Sequence, residues 1–244
     1  MLAADSPPAS IRRVAFFGGS FDPPHLGHLA VARAAHTALE LNTVLFAPVG
    51  AQPLKTHGAT ASYEDRLAMT RLAIAGEAGF EVSLADAPRP AGEPNYTLNT
   101  LEALRLGLGA NGLLFCLMGA DSFLGLRKWH RAAEIPFAAP LIVASRPGQN
   151  MDDLRTALPP SLRIEDRPMR DETRGGVQLR TFLLTDTVGE RTVLYLLPGL
   201  DVPISASEIR QQIHDAAQSG AQPDRNGQLP PAVADYVRLH RLYL

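Results

Sequence analysis

The sequence predicts an α/β fold in which a central parallel sheet carries helices on both faces. Three observations lead there. Short apolar runs recur along the chain, from VAFF (14–17) to TVLYLLPG (192–199). Between most of them lie stretches whose apolar residues repeat with helical period, and strands alternating with helices of this length build parallel sheets. The runs are also apolar throughout, the pattern of strands covered on both sides.

Taken in order, VAFF passes through GGSFDPPHLGH (18–28) into a helical pattern over 27–41. TVLFAPV (43–49) reads as the second strand and SYEDRLAMTRLAIA (62–75) as its helix. FEVSLAD (80–86), the helix TLNTLEALRLG (97–107), GLLFCLMG (112–119) and PLIVASR (140–146) continue the alternation. From Arg146 to Arg191 the periodicity fades and Pro, Asp, Arg and Gly accumulate. Residues 148–176 are expected as a surface excursion with a short helix at MDDLRTAL, and VQLRTFLL (177–184) as a strand before the last one. SGAQPDRNGQ (219–228) reads as a polar loop. LPPAVADYVRLHRLYL then forms a closing helix with Pro230 and Pro231 near its first turn. The expected organisation is one domain over 1–244, with residues 1–10 flexible and a small helical subregion at 203–244.

Composition bounds the function. A chain of 244 residues with 45% hydrophobic and 20% charged residues suits one sizeable globular core. A net charge of -2 gives no basic field for nucleic acid, so a polyanion would have to meet a local cluster. The single cysteine, Cys116, reads as a small core residue and excludes a cysteine-based metal site or disulfide framework. MLAADSPPASIRR lacks the apolar region of a secretory signal, and no run approaches the ~20 residues that span a bilayer. A reducing, cytoplasmic setting without membrane or nucleic-acid partners is expected.

Two stretches carry chemistry. In an open α/β sheet, ligands bind outside the carboxyl ends of the strands, and GGSFDPPHLGH lies at the first such end. Gly18 and Gly19 would let backbone approach a ligand, and Pro23 and Pro24 stiffen the turn. His25 and His28, three apart, can share one side of a helix start whose free N–H groups favour an anion. No Gly-Lys-Ser/Thr ends the stretch, so it is not a Walker A loop, and it lacks the GxGxxG spacing. A His-x-x-His metal site fits the spacing but has no evident third ligand, and a turn with two capping or solvated histidines is the plain alternative. The second stretch is PISASEIRQQIHDAA (203–217). Ser205 and Glu208 have capping-box spacing, and Ile204 and Ile209 that of a hydrophobic staple. In this register Ser207 and Arg210 share a face, where a guanidinium can bind phosphate oxygens with paired donors. A well-capped surface helix with a solvated arginine is the other reading. Two such helix starts would suit a triphosphate held between them.

Together these stretches resemble the nucleotidyltransferase superfamily with the HxGH motif. HLGH (25–28) matches it in full, and ISASEIR (204–210) resembles its ISSTxIR motif. The resemblance extends to the bacterial nicotinate-nucleotide adenylyltransferases through GGSFDPPHLGHL, APVGAQPLK (47–55), YTLNTLEAL (96–104), MGADSFLGLRKWHRAAEI (118–135), SRPG (145–148) and YVRLHRLY. It covers nearly the whole chain. Ala206 and Ser207 stand where the family has Ser-Thr, and Asn99 where it usually has aspartate.

The resemblance implies a Rossmann-like nucleotidyltransferase fold and adenylyl transfer from ATP to nicotinate mononucleotide in NAD biosynthesis, giving the deamido dinucleotide and pyrophosphate. It implies that His25 and His28 contact the ATP phosphates, His28 at the reacting one, and that Ser207 and Arg210 grip the departing pyrophosphate. Gly19 and Ser20 would line the nucleotide cleft, Lys55 would hold phosphate, and Gly119 and Asp121 would meet a ribose hydroxyl. Tyr96, Thr97 and Trp129 would surround the pyridine ring, with Arg146 on a phosphate. Mg²⁺ would arrive on the ATP phosphates, with no protein metal site. Several of these have ordinary structural readings: Lys55 and Arg146 as surface residues, Asp121 as a helix N-cap, Trp129 as core. Alternatives are nicotinamide mononucleotide or another small phosphate as acceptor, or a non-catalytic nucleotide-binding module.

Overall fold

The computed structural model describes residues 11–54, 58–145, 151–200, 204–219 and 227–244. The 1–10 segment expected to be flexible lies outside these ranges. Strand β1 (Arg12–Gly19) leads into α1 (Leu26–Ala38), followed by β2 (Thr43–Pro48), α2 (Tyr63–Ile74) and β3 (Phe80–Val82). Next come α3 (Thr97–Leu108), β4 (Gly112–Gly119), the short helices α4 (Ala120–Leu124) and α5 (Ile135–Ala138), and β5 (Leu141–Ala144). Then follow α6 (Met151–Ala157), β6 (Arg163–Ile164), β7 (Arg170–Arg174), β8 (Val177–Thr185) and β9 (Arg191–Leu197). Helices α7 (Ala206–Ser219) and α8 (Pro231–Leu239) close the fold.

The strands form one sheet in the order β3-β2-β1-β4-β5-β9-β8-β6, with β7 beside β8. The pairs from β3 through β9 are parallel; β8 pairs antiparallel with β9, β6 and β7. Alternation along the buried strands divides the core in two. Ala15 and Phe17 of β1, with Phe115 and Leu117 of β4, join Leu29, Met69, Ile209 and Val233 from α1, α2, α7 and α8. Val14 and Phe16, with Leu114, Cys116 and Met118, join Leu98, Phe123, Ile135 and Leu154 from α3 to α6 on the other face. Each fully buried Phe or Leu contributes about 1.5–3 kcal/mol.

Two differences from the sequence expectation have physical causes. The apolar run 80–86 is strand only to Val82. Beyond it, the Ser83 hydroxyl accepts the Ala85 N–H and the Leu84 carbonyl accepts the Ala87 N–H, turning the chain so that Asp86 enters the interior. The stretch 148–176 contains α6, β6 and β7. β7 reads RDETR and is largely exposed, as an outer strand that must not recruit another edge is built, so it shows no apolar period.

Candidate active site

In the sheet order β1 stands between β2 and β4, and the chain crosses to opposite faces on either side of it. Such a switch point opens a crevice at the carboxyl ends of the strands. A cleft of about 750 Å³ lies there. Among the residues singled out from sequence, Gly19, Ser20, His25, His28, Tyr96, Thr97, Gly119, Asp121, Trp129, Ser207 and Arg210 all line it. Lys55 and Arg146 lie outside the described residues.

His25 is the N-cap of α1 in extended conformation (φ -138°, ψ 169°), and His28 is at the third helical position. The His25 backbone N–H donates to Nδ1 of His28 at 3.2 Å. An imidazole that accepts at Nδ1 carries its proton on Nε2 when neutral, so His28 is fixed as a donor at that atom. The two rings stack with centroids 3.7 Å apart, and His28 meets the Phe21 ring at 4.9 Å. Burial among these rings lowers the pKa of His28 well below its ordinary value, and the neighbouring His25 lowers it further. Burial lowers His25 to about 4. Both are neutral near pH 7. Nδ1 of His25 is buried and turned towards the His28 backbone N–H in a capping-box arrangement, without a full hydrogen bond among the described residues.

The glycines before them serve the protein's own packing. A Cβ at Gly18 would lie 2.7 Å from the Phe16 ring, and one at Gly19 would lie 3.2 Å from the Phe21 ring. At Gly119, the N-cap of α4, a Cβ would meet nothing within 4 Å. Asp121 follows in the first turn of α4, so it is not that helix's N-cap.

The second helix start comes to the same place. α7 begins after Ser205, whose carbonyl accepts the Ile209 N–H at 3.0 Å, and Ile204 packs on the cluster that buries Ile209. Arg210 donates through Nη2 to the Ser207 hydroxyl at 3.2 Å and through Nη1 to the Asp22 carbonyl at 2.7 Å. The guanidinium of α7 is thereby tied to the loop that carries the histidines. Among the described residues these bonds occupy two of its five donors.

Trp129, which also lines the cleft, is half-buried against the second core cluster. The Tyr96 and His130 rings lie tilted with centroids 4.3 Å apart, and both line the cleft. The Ser20 hydroxyl donates to Gln52 at 3.0 Å. Asp86 is buried, accepts the Thr100 hydroxyl, and burial raises its carboxyl. Among the described residues no group of three or more His, Cys, Asp or Glu could hold a metal ion, and no helix is long and apolar enough to cross a membrane.

Sequence reasoning missed three residues that hold this site. Asp22 is 3% exposed and takes the N–H groups of Thr60 at 2.6 Å and Ala61 at 3.1 Å on its carboxylate. Arg66 of α2, 2% exposed, donates to the carbonyls of Ser20, Val49 and Ala61. His130 lines the cleft beside the Tyr96 ring. Asp22 lay inside SFDPPH and was legible as a turn carboxylate; nothing in the spacing of Arg66 or His130 distinguished them.

Comparison with known proteins bears on the family of the chain. A cytidylyltransferase-like family model matches residues 16–212. A protein of Laribacter hongkongensis named "Probable nicotinate-nucleotide adenylyltransferase" is 39% identical over 231 residues, covering 94% of both chains. One of the same name from Solibacter usitatus is 34% identical, covering 95% of this chain and 99% of its own. The structure titled Plasmodium falciparum nicotinic acid mononucleotide adenylyltransferase complexed with NaAD superposes with a TM-score of 0.64. It covers 95% of this chain and 97% of that one at 15% identity, a likeness of fold. With matches of this extent, the chain belongs to the cytidylyltransferase-like family, among its nicotinate-nucleotide adenylyltransferases.

Proposed function

We propose that the protein transfers the adenylyl group of ATP to nicotinate mononucleotide, giving nicotinate adenine dinucleotide and pyrophosphate in NAD biosynthesis. The observation that carries this reading is the convergence of His25, His28 and Arg210, from two helix starts, on one cleft that Tyr96, Trp129 and His130 also line. The names of the relatives point to the same reaction. The whole chain acts as one nucleotidyltransferase domain, in the cytoplasm.

An oxygen of the mononucleotide 5′-phosphate attacks the α-phosphorus of ATP in line. One P–O–P bond forms, the bond from the α-phosphorus to the bridging oxygen breaks, and its electron pair leaves with pyrophosphate. The attacking phosphate is already an anion at pH 7, so the protein's task is positioning and charge stabilisation. His28 donates from Nε2 to the oxygens of the reacting phosphate, and His25 adds a second contact beside the α1 N-terminus. Ser207 and Arg210 hold the leaving pyrophosphate with charge-assisted hydrogen bonds. Gly19 and Ser20 line the nucleotide, and Gly119 and Asp121 its ribose. Tyr96, Thr97 and Trp129 enclose the pyridine ring. Lys55 and Arg146 add phosphate contacts by family resemblance. Mg²⁺ enters as part of the ATP substrate, neutralising its phosphates.

The test is pyrophosphate release from Mg·ATP by the purified protein with nicotinate mononucleotide and, in parallel, nicotinamide mononucleotide. Release with the nicotinate substrate, matched one for one by dinucleotide, is expected. Release only with the nicotinamide form reassigns the acceptor, and release with neither overturns the enzymatic reading.

A further inference from the structure

The YVRLHRLY stretch matches the family's ending, yet none of its residues lines the cleft. Its structure nevertheless connects it to the site. After α8 the chain turns back, with Arg241 N–H donating to the Arg238 carbonyl at 3.3 Å and Leu242 N–H to the Val237 carbonyl at 3.0 Å. Tyr243 takes a positive φ of 65°, a backbone region that non-glycine residues occupy only where the surroundings fix them. In that conformation its hydroxyl donates to Oδ1 of Asp22 at 2.8 Å.

We propose that Tyr243 is a positioning residue: its hydroxyl saturates the Asp22 carboxylate and so leaves the Arg210 guanidinium free to face the cleft. Asp22 and Arg210 are opposite charges in near contact, with Nη1 3.9 Å from Oδ2. Left to themselves, a carboxylate and a guanidinium close into a two-pronged pair. Here they do not. The Asp22 carboxylate, 3% exposed, accepts the Thr60 N–H on Oδ2 and both the Ala61 N–H and the Tyr243 hydroxyl on Oδ1. A carboxylate offers about four lone-pair sites, so three neutral donors nearly fill it. Arg210 instead donates to the backbone carbonyl of Asp22 and to Ser207. Burial and the Asp22 charge both push the Tyr243 hydroxyl upward, so it stays a donor throughout the working pH range. Remove that hydroxyl and the carboxylate loses one of the two donors that fix Oδ1, so it can turn towards Arg210, whose Nη1 already lies 3.9 Å from Oδ2, and Arg210 withdraws from the phosphates.

This inference rests on Arg210 holding ATP phosphate. Tyr243→Phe keeps the ring, which packs on the first core cluster, and deletes only the donor. The probe is α,β-methylene ATP with Mg²⁺, titrated calorimetrically into the full-length wild type, Tyr243→Phe, Arg210→Ala and the double variant. Tyr243→Phe is expected to weaken binding about tenfold in the wild-type background and less than about twofold in the Arg210→Ala background, because the effect passes through Arg210. In turnover, Tyr243→Phe raises KM for ATP and leaves KM for the mononucleotide unchanged, a split that general loosening of the fold does not produce. Equal losses in both backgrounds, or none in the wild type, overturn the positioning role alone. Unchanged binding in Arg210→Ala overturns the phosphate role of Arg210 and this inference with it.

Discussion

His28 holds the His25 amide hydrogen at Nδ1, and that one bond decides what its other nitrogen can do. With Nδ1 occupied as an acceptor, the neutral ring presents Nε2–H and nothing else. A neutral donor suits this reaction, because it can follow charge as it moves onto the leaving group without a proton changing hands. Replacing His28 by Ala is expected to lower kcat by roughly 10²–10³, the usual worth of one preorganised donor to developing charge. Near-normal turnover in a folded His28→Ala protein would remove it from the mechanism. The same burial makes the fold acid-sensitive. In the unfolded chain His25 takes a proton near 6.5, but in the folded protein only near 4. Between those values the unfolded state binds more protons, so stability rises with pH through the window and is lost as pH falls from about 6.5 towards 4. For His25 that loss amounts to about 3 kcal/mol. Urea unfolding midpoints across the window should fall more steeply for the wild type than for His25→Gln, whose side chain carries no titrating proton. Parallel slopes would mean that the carboxylates alone set acid stability.

At the scale of elements, the sequence was informative wherever an element is amphipathic or buried on both faces. The β1–α1 junction, the register of α7 and the run GLLFCLMG were all readable, because burial imposes apolar character on them. Legibility ended where polar groups hold backbone to backbone. β7 belongs to the sheet through ladder bonds to β8 and shows only charged and polar side chains. Arg66 sits in α2 with the spacing of a surface arginine, yet its guanidinium crosses to the carbonyls of Ser20 and Val49 at 2.7 and 2.9 Å. No periodicity encodes those partners, since they are backbone atoms of other elements. That brace joins α2 to the ends of β1 and β2 beneath the cleft. Arg66→Met keeps most of the apolar stem but strands the buried carbonyls. It is expected to destabilise the fold by about 2–4 kcal/mol, read as a lower urea midpoint with an unchanged slope. A midpoint within experimental scatter of the wild type would show that water replaces the guanidinium without cost.

On the scale of the whole molecule, the cleft is assembled from parts far apart in sequence. The side that carries the histidines and Arg210 needs the β1–α1 loop, the start of α7 and, through Asp22, the segment after α8. The C-terminal part has two further anchors: Tyr236 of α8 donates to Asp65 of α2 at 3.0 Å, and the Leu26 N–H at the start of α1 donates to the carbonyl of Gln228, ahead of α8, at 2.9 Å. A ligand that bridges both helix starts therefore couples the two ends of the chain, and its binding energy adds to the stability of the folded state as a whole. At a concentration 100 times its Kd, α,β-methylene ATP should stabilise the protein by about 2.7 kcal/mol. For a chain of this size that corresponds to a rise in Tm of roughly 5–10 °C. At the same concentration the rise should shrink in both His28→Ala and Arg210→Ala, because each removes one side of the bridge. Amide hydrogen exchange supplies the spatial reading: protection should appear at residues 22–28 and at the start of α7 over the same concentration range. Protection confined to one of the two segments would mean that the triphosphate is gripped from one side only, and that the meeting of the two helix starts through Asp22 serves packing, with no part in binding.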